Sequence, residues 1–274
     1  MREITIAAAC IQSKAGDLEG NLERLGRAAR DAAEAGAEMV VLPEACLTGY
    51  SVGPDASSAA IRLDDPAMGK AADLAQETGA ALVIGLIERA DESRLFLTQV
   101  VFDPSRRMIG RYRKLHLGPT EQEQFTPGSD LGLFDLNGAR FGLQLCFDGH
   151  FPELATLQAL GGAEIILVSH ASPRNEEPGE KRDRWLRYLP ARAYDNTAFL
   201  VACNPVGDNG QGVEFAGVAL IIGPKGEVLA DYAGSAPGHA LAKLDGQMLE
   251  KIRASRMGFF RAFRRPELYK GLVD

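Results

Sequence analysis

GAEMVVLPE (residues 36–44) and GAEIILVSH (residues 162–170) are two stretches of one design set 126 residues apart. Each opens on Gly-Ala-Glu, runs through four or five apolar positions, and follows an Ala/Leu-rich segment with helical periodicity. A buried strand reads this way: a short apolar run rich in branched side chains, bounded by a glycine turn on one side and a polar residue on the other. Two helix-then-strand units of the same kind predict two pseudo-symmetric halves, each contributing a sheet. Glu44 and His170 then end equivalent strands and are delivered to the same edge, where loops build sites. A chance match over nine residues is the competing reading.

Outward from these units the same pattern continues. Strand-like runs begin at Ile4, Met39, Ala81, Leu97, Arg140, Glu164, Ala198, Gly217, Glu227 and His239, and helical patterns cover residues 21–35, 66–78, 152–160 and 181–196. This is an α/β alternation with hairpins mixed in. Asn137-Gly138 between two apolar runs signals a type I′ hairpin, and Gly223-Pro224-Lys225-Gly226 signals another, so the sheets are mixed rather than purely parallel. Residues 172–180, rich in Ser, Pro, Gly and Glu, read as a long surface loop. No low-complexity linker divides the chain, which predicts one domain over residues 1–274.

Composition narrows the function classes. Hydrophobic residues make up 46% of the 274, enough for a substantial core. With 30 basic against 37 acidic residues and no large basic block, the chain suits a small neutral or cationic molecule better than nucleic acid. MREITIAAACIQ at the start carries Glu3 early and alternates like a strand, unlike a signal peptide, and no run reaches the length of a membrane span. Cys10, Cys46, Cys146 and Cys203 are far apart and form no CxxC pair. That spacing predicts neither a zinc site nor a disulfide framework, and a reducing cytoplasm fits it.

Three apolar runs end on a reactive group: VVLPE on Glu44, the GRYRKLHL segment on Lys114, and GLQLC on Cys146. Taken singly, each has an ordinary structural reading as a solvated charge or a buried thiol. Their order and flanking residues resemble the nitrilase, or carbon–nitrogen hydrolase, superfamily, whose signature is a Glu–Lys–Cys triad in this chain order. The resemblance runs from AAACIQ through LPE, YRKLHL, GLQLCFDGHFPE, ARAYDN, VACN and GPKGE to RRPELY. It implies a four-layer α-β-β-α sandwich with two mixed sheets, and hydrolysis of a small amide through a cysteine thioester without metal or organic cofactor. It also implies a homodimer or higher homo-oligomer.

In that scheme Cys146 is the nucleophile, Glu44 the base that takes its proton, and Lys114 with the backbone N–H of Phe147 the stabiliser of the carbonyl oxygen. Glu121, four residues before Phe125 in TEQEQFTPG, matches the family's second glutamate and would orient Lys114. Pro152-Glu153 opens a helix whose dipole is expected to favour a Cys146 thiolate. His150 caps or lines the pocket, and the echo places His170, Ala171 and Ser172 in its wall. After Cys146 the chain reads Phe-Asp-Gly-His, which departs from the Cys-Trp-Glu of nitrilases proper and from the paired arginines of D-amino-acid carbamoylases. It is closer to the aliphatic amidase and N-carbamoyl-amine hydrolase branches.

Other readings carry less. A Cys–His pair could use His150, His116, His170 or His239. No GxSxG occurs, and GDNGQG (residues 207–212) precedes no helical pattern, so it is expected to be a flexible loop and not a phosphate cradle. A catalytically silent binding domain would lack one of the three triad residues. Trp185 is assigned to core or subunit-interface packing. Phe259, Phe260 and Phe263 among arginines could form a membrane-surface helix, but they lie beside the RRPELY segment that in the family packs on the fold.

Overall fold

Alternation with a period of two sorts the strands' side chains onto two faces, and that sorting builds the layers. The computed structural model describes residues 1–173, 176–269 and 271. In chain order the elements are β1 (Ile4–Cys10), α1 (Leu18–Glu34), β2 (Met39–Val41), α2 (Pro54–Ala59), α3 (Pro66–Thr78), β3 (Ala81–Arg89), β4 (Leu95–Phe102), β5 (Met108–Arg113), β6 (Leu133–Leu136) and β7 (Ala139–Leu145). After a 3-10 turn at Cys146–His150 come α4 (Pro152–Leu160), β8 (Ile165–Ser169), α5 (Pro178–Trp185), α6 (Leu189–Asn196) and β9 (Phe199–Cys203). The chain continues through β10 (Gly207–Asp208), β11 (Glu214–Phe215), β12 (Gly217–Ile222), β13 (Val228–Gly234), β14 (Gly238–Leu244) and α7 (Gly246–Ala254).

One sheet has the order β14-β1-β2-β3-β4-β5 and the other β13-β12-β9-β8-β7-β6. Ile6, Ala8, Val41 and Val83 of the first face Phe141, Leu143, Leu167 and Val201 of the second in one inter-sheet core. Their neighbours point the other way. Ala7, Val40, Leu82 and Ile84 pack under α1 and α3, while Ile166, Val168, Leu200 and Leu220 pack under α4, α5 and α6 with Trp185 and Leu189. The result is the expected α-β-β-α sandwich.

The sequence echo is topological. In the first sheet β1, β2 and β3 are parallel, with antiparallel β14 on one flank and β4 on the other. In the second, β7, β8 and β9 are parallel, with antiparallel β6 and β12 on their flanks. The two repeated stretches thus supply β2 and β8, the middle strand of each parallel trio. Both predicted hairpins form. Asn137 (φ 52°) and Gly138 (φ 80°) take the positive φ values of a type I′ turn between β6 and β7.

Local chemistry sets the helix boundaries. Asp17 caps α1 by accepting from the Gly20 N–H at 3.1 Å, and α3 starts at Asp65-Pro66 and ends on left-handed Gly79. The single helix expected over residues 181–196 is instead two, α5 and α6. Pro190 explains the break, because inside a continuous helix it would remove a backbone donor and clash with the preceding turn, whereas in the first turn of α6 it does neither. The region read as a loop over residues 172–180 ends earlier, at the start of α5. No helix among the described residues is long and apolar enough to cross a membrane.

Trp185 is fully buried in the core beneath α5 and α6. Trp185→Ala should therefore cost about 3–5 kcal/mol, read as a lowered urea midpoint by circular dichroism. A loss below about 1 kcal/mol, the scale of a surface substitution, would show that this helical layer packs otherwise.

Candidate active site

The segment leaving β2 is fixed from both sheets. The Leu42 carbonyl accepts from Ser169 Oγ at 2.8 Å and Gln99 Nε2 at 3.2 Å, and those two side chains bond each other at 2.9 Å. Gln99 belongs to β4 in one sheet and Ser169 ends β8 in the other, so a buried polar bridge spans the sandwich at this point. Two residues on, the Glu44 N–H donates to the His170 carbonyl at 3.1 Å, and Glu44 Oε2 accepts from the Ala171 N–H at 3.0 Å. The ends of the two echoing stretches meet here. Gly85 of β3 allows the approach, since a Cβ there would stand 2.3 Å from the Ala45 nitrogen.

Lys114 follows β5 and turns inward, its side chain 1% exposed. Its Nζ donates to Glu44 Oε1 at 2.9 Å and to Glu121 Oε1 at 2.7 Å. Glu121 is held in turn by the Tyr50 hydroxyl at 2.8 Å and the Gly118 N–H at 2.7 Å. Burial opposes the charge on Lys114, but Glu44 and its other anionic neighbours outweigh it and raise the lysine pKa. Burial lifts Glu44 to about 7 against the pull of Lys114. A carboxylate in that range can accept and return a proton near neutral pH.

Cys146 follows β7 and begins the 3-10 turn with a positive φ of 42°, a conformation costly for a non-glycine residue. Asp148, fully buried, pays for it with four acceptor contacts. It takes the Leu145 N–H at 2.9 Å, the Tyr112 hydroxyl at 2.7 Å, the His116 N–H at 2.9 Å and His116 Nδ1 at 2.8 Å. Tyr112 and His116 stand two residues either side of Lys114, so one carboxylate ties the cysteine turn to the lysine segment. Burial, and then the charge of Glu44, push the Cys146 thiol up to about 12, while Lys114 and the Ala171 N–H pull it down. Burial thus opposes the thiolate at Cys146, and Lys114 and the Ala171 N–H favour it. The 3-10 turn, not α4, has Cys146 at its N-terminus.

The remaining predicted residues surround this core in different ways. The His150 ring stacks on Tyr188 with centroids 4.5 Å apart, and Phe147 meets Phe151 edge-on at 5.5 Å. The His170 ring is buried and stacks on Trp185 at 4.1 Å, and its backbone rather than its imidazole reaches Glu44. Ser172 donates its N–H to Asn204 Oδ1 at 2.9 Å, and its carbonyl accepts from buried Lys181 at 2.5 Å. Sequence reasoning missed Tyr50, Gln99, Tyr112, Asp148, Ser169 and Asn204. Only the alternation of polar groups at Tyr112, Lys114 and His116, running off the end of β5, carried a signal.

The carbon–nitrogen hydrolase family model matches residues 5–254. The chain belongs to the carbon–nitrogen hydrolase family. This hydrolase is 34% identical over 260 residues to a Pseudomonas protegens protein described as a hydrolase in the pqqF 5′ region, covering 93% of this chain and 87% of the other. It is 33% identical over 223 residues to N-carbamoylputrescine amidase of Arabidopsis thaliana, covering 76% and 73%. Its fold superposes with a TM-score of 0.84 and 27% identity on a variant of the amidase from Nesterenkonia sp. AN1, over 98% of this chain and 97% of that one. That variant shows covalent addition of the acetamide moiety of fluoroacetamide at its active-site cysteine.

Two outcomes follow for the hydrolase. Cys146 keeps some exposed surface, whereas Cys10, Cys46 and Cys203 are sealed in the core, so brief iodoacetamide treatment should modify Cys146 first by peptide mass spectrometry. Gly85→Ala should leave a folded protein whose turnover falls about a hundredfold, because the new methyl displaces the Glu44 backbone. Turnover within about threefold of wild type would show that Glu44 tolerates such a shift.

Proposed function

We propose that this hydrolase cleaves the C–N bond of a small aliphatic amide through a Cys146 thioester, releasing ammonia and a carboxylic acid. The observation that carries the reading is the buried Lys114 ammonium shared between Glu44 and Glu121 next to the turn that bears Cys146. In the proposed reaction Glu44 takes the thiol proton as the sulfur attacks the carbonyl carbon. Lys114 and the Phe147 N–H stabilise the oxygen as it becomes anionic, and Glu121 keeps Lys114 aimed. Collapse of the tetrahedral intermediate breaks the C–N bond, and Glu44 returns its proton to the departing nitrogen. A water then gives its proton to Glu44 and attacks the thioester, which frees the acid and the thiol.

A second substrate reading, an N-carbamoyl amine or N-carbamoyl amino acid, is favoured by the likeness to N-carbamoylputrescine amidase. The same residues would perform it, with carbon dioxide as an additional product. We further propose a homo-oligomer assembled through the outer helical layer, where Leu157, Leu160, Tyr194 and Phe260 are exposed. Four free cysteines support a reducing, cytoplasmic setting.

Product analysis over a panel of amides and ureides tests the assignment. Ammonia without carbon dioxide supports the amide reading, stoichiometric carbon dioxide the carbamoyl reading, and no turnover with an intact Cys146 thiol opposes both. The pH profile tests the base. The active form needs Glu44 ionised and its pKa is raised to about 7, so kcat/KM should fall with decreasing pH below that value, by about tenfold per unit. A profile flat from about pH 5 to about pH 8 would remove Glu44 as the base.

A further inference from the structure

We propose that Asn209, in the hairpin formed by β10 and β11, is a positioning residue for the Lys114 ammonium and acts through Tyr50 and Glu121. The inference rests on the amide-hydrolase reading of the site and extends it to a loop that reading leaves without a role. Residues 207–212, expected to be a flexible loop, are closed into a hairpin by Gly207 pairing with Phe215 and Asp208 with Glu214.

Asn209 is 2% exposed although it sits in this surface hairpin. Its Oδ1 accepts from the N–H groups of Gln211 at 2.9 Å and Val213 at 3.1 Å, which fixes the shape of the turn. Its Nδ2 donates outward to the Tyr50 carbonyl at 3.2 Å, and its own carbonyl accepts from the Ala15 N–H at 2.9 Å. Gln211, exposed at the tip, bonds Ser51 Oγ and Asp55 Oδ2, both at 3.1 Å. The Lys14–Ala15 backbone, bonded to the Asn209 carbonyl, also presses on Gly49 so closely that a Cβ there would lie 2.4 Å from the Lys14 carbonyl. The Gly49–Ser51 segment is therefore held by two loops that are distant in sequence and bonded to each other.

What this clamp holds is the donor to Glu121. The Tyr50 hydroxyl and Lys114 Nζ share the same oxygen of Glu121, at 2.8 and 2.7 Å. A displaced Tyr50 backbone moves that hydroxyl, loosens Glu121 and lets the ammonium drift from where the carbonyl oxygen gains charge. Preorganised donors lose effect steeply when they move, so the consequence belongs to the chemical step and not to substrate binding.

The test is a double-mutant cycle of Asn209→Asp and Tyr50→Phe in the full chain. It reads kcat and KM for the amide that wild type turns over fastest, and the rate at which fluoroacetamide labels Cys146. Aspartate keeps the acceptor for Gln211 and Val213, and in place of the donor to Tyr50 it sets a carboxylate oxygen against that carbonyl. Asn209→Asp should lower kcat about tenfold with KM within about twofold, slow labelling in proportion, and cost nothing further in the Tyr50→Phe background. An unchanged kcat, an effect confined to KM, or losses that multiply across the pair overturns the proposal. Should Asn209→Asp fail to fold, Gln211→Ala removes the tethers at the exposed tip instead. It should lower kcat about threefold with the same non-additivity, and an unchanged kcat again overturns the proposal. A wild type that neither turns over an amide nor is labelled overturns the amide reading and this inference together, whereas variants that match an active wild type overturn this inference alone.

Discussion

A lysine ammonium out of contact with water and gripped by two carboxylates is the constraint on which the rest of the site depends. Three ionisable side chains in a low-dielectric interior are tolerable only when geometry is tight and every remaining donor and acceptor is used. Every carboxylate oxygen of Glu44 and Glu121 has a donor, from Lys114, Tyr50, Gly118 or Ala171. Because two carboxylates share one ammonium, burial is not fully compensated, and the excess falls on Glu44, whose pKa rises to about 7. The same low dielectric pushes the pKa of the neighbouring thiol upward. In the proposed reaction Glu44 and the Cys146 thiol act together, the proton passing to the carboxylate as the sulfur attacks.

The sandwich exists, from this viewpoint, to bring separate strand ends together without flexibility. Glu44 leaves the first sheet and Cys146 the second, and neither reaches the other through local sequence. The Gln99–Ser169 bridge fixes the first to both sheets, and Asp148 fixes the second to the segment carrying Lys114. Each tie is a buried polar group with its partners supplied, so it gives direction as well as stability. The near-repeat of sequence has its function here, since the ends of β2 and β8 are the two segments that hydrogen-bond around Glu44.

Much of this was legible before any coordinates. The echo located the two middle strands, the hairpin signals located the β6–β7 and β12–β13 turns, and of the three reactive groups at the ends of apolar runs the structure brings Glu44 and Lys114 into direct contact. Glu121 was reached through the family resemblance, at the place of its second glutamate before Phe125. What escaped was the support. Asp148, Gln99 and Ser169 are ordinary polar residues whose meaning lies in partners on other strands, many of them tens of residues away, and no local pattern encodes such pairings. His170 was placed correctly in the chain's path, but its contribution is a carbonyl, a group every residue carries. The break between α5 and α6 was readable from Pro190 and was overridden by an apolar periodicity continuous across it.

Replacing Lys114 by arginine addresses the central claim most directly. The guanidinium keeps the charge and exchanges a compact ammonium for a planar fork that cannot sit at the same point between Glu44 and Glu121. If the position of that charge governs the reaction, steady-state turnover of the variant should fall by about a hundredfold to a thousandfold while circular dichroism remains that of the native fold. A folded Lys114→Arg protein with turnover within about tenfold of wild type would contradict the account, because charge alone, and not its placement between two carboxylates, would then suffice.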